Sequence, residues 1–94
     1  MPKLLIYRNL VFLIFAVDVW ENRRHIHVAK KSVRRFFPAK FWLEPKIQIV
    51  LSGDFTEKEL AEIEKLIRQF ESLIHQQLDL FYAGQKVKAI KINR

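Results

Sequence analysis

Three observations predict an α+β fold. Short runs of strand-forming residues fill the first half of the chain, a His-x-His pair sits in one of them, and a long amphipathic stripe with a capped start fills the second half. The expected architecture is an antiparallel sheet of four to five strands packed against one long C-terminal helix. A chain of 94 residues suits one domain. That domain is expected over residues 1–84, with residues 85–94 as a basic tail or a short extra strand.

The first strand is expected at Leu4–Tyr7 and the second at Leu10–Val17, joined by a tight turn at Arg8-Asn9. Asparagine tolerates the left-handed backbone that such turns need. Val11, Phe12, Ile14, Phe15 and Val17 favour strands, and apolar residues on both faces imply cover on both sides. The apolar run Leu10–Val17 is too short for a membrane helix, which takes about 20 residues. Asp18, Trp20 and Glu21 follow it where a signal peptide would carry a small-x-small cleavage site, so a buried strand explains it better.

Asp18–Arg23 reads as a polar link. The third strand covers His25 to Ala29, and the fourth Ala39–Glu44, ended by Pro45, which has no backbone donor. Alternation puts Ile26, Val28, Phe41 and Leu43 on one face and His25, His27, Lys40, Trp42 and Glu44 on the other. Between these strands lies a basic loop, Lys30–Pro38, and after them a fifth strand, Ile47–Leu51, broken by Ser52-Gly53-Asp54.

The helix has the clearest start. Thr56 is the N-cap and Glu59 stands three residues on, a capping box, while Phe55 is placed to pack on Leu60. Apolar residues recur at Leu60, Ile63, Leu66, Ile67, Phe70, Leu73, Ile74, Leu78 and Phe81, a stripe of helical spacing. Gly84 suits the left-handed residue that ends a helix. A helix from Thr56 to Ala83 would span roughly 40 Å.

Charge is uneven. Residues 1–50 carry ten Lys/Arg against three Asp/Glu, whereas residues 51–94 carry seven of each. The basic half suggests a polyanionic partner, RNA or an acidic protein, or simply a solubilising surface. There is no cysteine, which excludes disulfides and thiolate metal sites and makes a cytoplasmic address the natural expectation.

His25 and His27 are candidates for acid and base in metal-independent RNA cleavage, with Lys40 as a third group. The plainer alternative is two histidines hydrogen-bonded across a sheet. Only His75 and scattered carboxylates remain as further ligands, so no metal site and no cofactor is expected. Trp42 with Arg23, Arg24, Lys30, Lys31, Arg34 and Arg35 makes a candidate surface for RNA or a partner protein, by stacking and phosphate contact. Alternatively, Trp42 packs as core and Lys40–Glu44 is a cross-strand pair.

His25-Ile26-His27-Val28, Ala39–Pro45 and the capped helix start Thr56-Glu57-Lys58-Glu59-Leu60 together resemble a small bacterial family, domain-of-unknown-function family 4160. The resemblance covers residues 1–84. Many members carry a proline before the first histidine, where this chain has Arg24. The family brings no established activity. Its members are similar to toxin–antitoxin components in size and gene context, which implies a partner encoded nearby.

Overall fold

The computed structural model describes residues 2–31 and 37–92. Five strands run as a meander: β1 (Lys3–Tyr7), β2 (Leu10–Leu13), β3 (His25–Lys30), β4 (Ala39–Trp42) and β5 (Gln48–Leu51). Two helices follow, α1 (Glu57–Gln69) and α2 (Glu71–Tyr82), and then β6 (Ile90–Ile92). The sheet order is β5-β4-β3-β2-β1-β6. The meander is antiparallel throughout, as expected, but β6 lies parallel to β1, so the sheet is mixed. The tail is therefore a strand, reached by the crossover through the helices that a parallel neighbour requires.

The single long helix is instead two. Phe70 leaves helical geometry (φ −105°, ψ 18°), although its N–H still donates to the Leu66 carbonyl and its carbonyl accepts from Ile74. A straight rod of about 40 Å would overshoot a domain whose longest axis is 33 Å. The break seats the Phe70 ring 5.5 Å from the Tyr7 ring and keeps both helices on the sheet. The start is as the sequence implies: Thr56 Oγ1 accepts from the Glu59 N–H, and Glu59 Oε1 accepts from the Thr56 N–H at 2.9 Å. Gly84, at φ 73°, ends α2.

The helices cover one face of the sheet. Ile63, Ile67, Phe70, Ile74 and Leu78 pack with Leu4, Phe12, Ile26, Val28, Phe41 and Leu43 in one core. Gln77 is buried in the same layer, its amide donating to the carbonyls of Leu4 (2.9 Å) and Lys88 (2.6 Å). The opposite face carries a smaller cluster of Val11, Leu13, Ala29 and Phe15.

Three local expectations change. In the β1–β2 turn the left-handed residue is Arg8 (φ 54°), whereas the sequence pointed to Asn9. The second strand stops at Leu13 and does not run to Val17, because the Asp18 carboxylate takes the Phe15 N–H at 2.6 Å and bends the chain off the sheet. Residues Ala16–Trp20, part of the expected strand and link, form a 3-10 turn that leaves Val17 72% exposed. The Glu44-Pro45 peptide is cis, and β4 ends before it at Trp42.

Candidate functional site

Register builds the site. In β3 and β4, His25 stands opposite Trp42 and His27 opposite Lys40, so the polar sets share the face away from the helices. The His25 ring lies 5.7 Å from Trp42 and 5.3 Å from His27, each edge-on. The juxtaposition expected from alternation is present. Its surroundings differ from an open patch. The 3-10 turn folds back over the imidazoles, leaving His25 fully buried and His27 8% exposed.

Asp18 is the centre of this arrangement. One carboxylate oxygen, Oδ1, lies 3.0 Å from His25 Nε2; the other, Oδ2, lies 3.1 Å from His27 Nε2. On its far side, His25 Nδ1 is 3.0 Å from the Arg23 carbonyl and 2.9 Å from Glu21 Oε2. Glu21 also accepts from Lys40 Nζ, at 2.9 and 3.2 Å. One donor atom each from Asp18, His25 and His27 falls within 4.8 Å of the others, so these three residues are placed as a ligand set could be. The expectation of no metal site rested on the want of a third donor beside the two histidines, and the fold places the Asp18 carboxylate there.

Burial is the largest influence on Asp18 and disfavours its charge. The Phe15 N–H and the two histidines oppose it more strongly, and the carboxyl is held below its ordinary value. His27 is pushed down, chiefly by burial, against the pull of Asp18. The pair thus rests as carboxylate and neutral imidazole near neutrality.

The expected basic surface is largely engaged within the chain. Arg24 pairs with Asp79, reaches Glu44 at 4.0 Å, and meets His75 Nδ1 at 2.9 Å, so His75 is tied to the fold and is not a free surface group. The Arg23 guanidinium stacks 4.3 Å from the Trp42 ring centre while its Nε donates to the Glu44 carbonyl. Lys30 Nζ donates to the Asp54 carbonyl and lies 3.5 Å from Glu59. Lys40 pairs with Glu21, not with Glu44 as the cross-strand alternative had it. Lys31 is exposed. Arg34 and Arg35 lie outside the described residues.

Two exposed apolar residues, Trp20 and Leu51, were not singled out by the sequence for a role. On the 3-10 turn Trp20 is 84% exposed. A groove of about 480 Å³ runs between Phe15, His27, Phe37, Pro38 and Leu51 on the same face. Within it Phe37 is 54% and Leu51 58% exposed. Leu51 stands opposite Lys40 in the β4–β5 register, which fixes it on this face. Trp20 gave no periodic signal because a 3-10 turn has neither the strand nor the helix period.

Fold and site define a small mixed-sheet α+β domain with two helices on one face and a carboxylate–histidine cluster under a turn on the other. The chain belongs to the family described as Domain of unknown function (DUF4160), whose model matches residues 10–77. No curated protein matches the chain. No solved structure matches it either. No helix among the described residues is long and apolar enough to cross a membrane.

Proposed function

We propose that this protein is a small cytoplasmic interaction module, one component of a two-gene toxin–antitoxin-like pair, that holds an acidic partner protein on the sheet face away from the helices. The observation that carries this reading is the solvent-facing Trp20, with Phe37 and Leu51 lining an apolar groove on the same face. Exposed aromatics beside a groove are the anchors from which interfaces draw most of their affinity. All four residues of β5, the strand at that edge of the sheet, are exposed and available for strand addition. The formal charge of +7 steers an acidic chain toward the module.

RNA binding draws less support, because Arg23, Arg24, Lys30 and Lys40 already have acceptors within the chain. Nuclease action by His25 and His27 draws less still, since a buried imidazole does not reach a phosphate in solution. The test is co-expression with the product of the adjacent gene. Trp20→Ala and Leu51→Lys should each weaken co-purification at least about tenfold while leaving the melting temperature nearly unchanged, as surface changes do. Tight, steeply salt-dependent binding of an RNA oligonucleotide, indifferent to both changes, would refute the proposal in favour of nucleic acid.

A further inference from the structure

The His25 ring leaves one of its nitrogens without a hydrogen-bond partner. Its Nδ1 faces two acceptors, the Arg23 carbonyl and Glu21 Oε2, so the ring hydrogen belongs on Nδ1. Nε2 then presents a lone pair toward Asp18 Oδ1, 3.0 Å away, and two acceptors at that distance repel. That nitrogen is fully buried and has no hydrogen-bond partner.

We infer that Asp18, His25 and His27 bind one divalent first-row metal ion, with zinc as the expected occupant. Around a tetrahedral ion with bonds of about 2.0–2.1 Å, neighbouring donor atoms lie about 3.3 Å apart. Asp18 presents Oδ1 at 3.0 Å to His25 Nε2 and Oδ2 at 3.1 Å to His27 Nε2, and one donor atom from each of the three residues lies within 4.8 Å of the others, so a modest movement of the side chains would gather them around one ion. Two imidazoles and a carboxylate select a transition ion over magnesium or calcium, which prefer oxygen donors throughout.

The outer partners are also those of a metal-bound histidine. His25 donates its far N–H to a backbone carbonyl and a carboxylate, the arrangement that fixes tautomer and ring orientation in zinc sites. Glu21 is in turn anchored by Lys40. The ion would fasten the 3-10 turn, through Asp18, to β3. This inference stands apart from the docking reading and does not depend on it.

The experiment uses the tag-free chain, stripped with EDTA and titrated with Zn²⁺ by calorimetry. Imidazole ring signals are followed by NMR in parallel, with Co²⁺ absorption as a report on geometry. One ion per chain should bind, moving the ring signals of His25 and His27 and leaving those of His75 in place. Asp18→Asn and His27→Gln should each weaken binding by more than about tenfold, and Glu21→Gln by about 10–100-fold. Elemental analysis of protein purified without chelator separates zinc from iron as the natural occupant. No saturable binding, or binding that shifts His75 alone or survives both ligand changes, would overturn the site. If the substituted chains fail to fold, the ring signals of the unmodified chain decide the matter alone.

Discussion

Gln77→Met tests the clasp between the helices and the last strand. The Gln77 amide nitrogen donates to the Leu4 carbonyl at 2.9 Å and the Lys88 carbonyl at 2.6 Å. Methionine keeps the length and bulk of the side chain but has no donor. Leu4 is fully buried, so no water replaces the bond to its carbonyl; a buried acceptor that loses its donor costs about 1–3 kcal/mol. Lys88 is exposed, so its carbonyl exchanges the amide for water at about 1 kcal/mol or less. The apolar thioether recovers part of this in a buried site. The net loss is about 2 kcal/mol, which for a domain of this size lowers the melting temperature by roughly 8–16 °C. Urea unfolding should show a lower midpoint at unchanged slope. Trypsin should cut faster at Lys86, Lys88 and Lys91 in the native protein. An unchanged midpoint together with unchanged cleavage would refute the clasp.

Ile67→Asp should prevent folding, since Ile67 is fully buried under the sheet and an aspartate there has no partner; a cooperative unfolding transition in the variant would count against the packing. Gly53→Ala should destabilise by more than about 1 kcal/mol in chemical denaturation, because Gly53 has φ 57° and a Cβ would lie 2.6 Å from the Pro38 carbonyl carbon and 2.7 Å from the Ala39 nitrogen. Glu59 is held below its ordinary value first by the Thr56 N–H, so its cap contribution is complete above its unfolded pKa, near 4.5, and is lost as pH falls through the lowered value. Stability measured against pH should therefore be flatter in that acidic window for Glu59→Gln than for the native chain.

Alternation made the β3–β4 register legible, because Ile26, Val28, Phe41 and Leu43 admit only one helix-facing set. The cap was legible for a similar reason: Thr56 and Glu59 act on backbone three residues away, and such local bonds leave a local signature. Asp18 was not, since its meaning comes from histidines that the chain reaches only after a bend of its own making. A signal did exist. The first fifty residues contain only three acids, and two of them, Asp18 and Glu21, fall just ahead of His25. The break at Phe70 and the pairing of β6 were illegible because each is set by the dimensions of the whole sheet. The pairing of the basic residues was illegible too: composition counts charges, whereas the fold matches Arg24 to Asp79 and Lys40 to Glu21.

The lone parallel pairing has a kinetic meaning. Four of the five strand pairings join neighbours in sequence, and such contacts close small loops quickly. Only β6 must find a strand from the far end of the chain, Leu5 beside Ile90. It is also the last of the six to be synthesised, so each nascent molecule passes a period in which β1 offers a bare backbone edge. When many chains are made at once, the β6 of a sister copy competes for that edge with the tethered strand, which holds the advantage of a higher effective concentration. Where the sister strand wins, the product would be a dimer with exchanged last strands, each half keeping the native register. Its abundance should rise with expression level, and at a fixed protein concentration it should dissolve on unfolding and slow refolding.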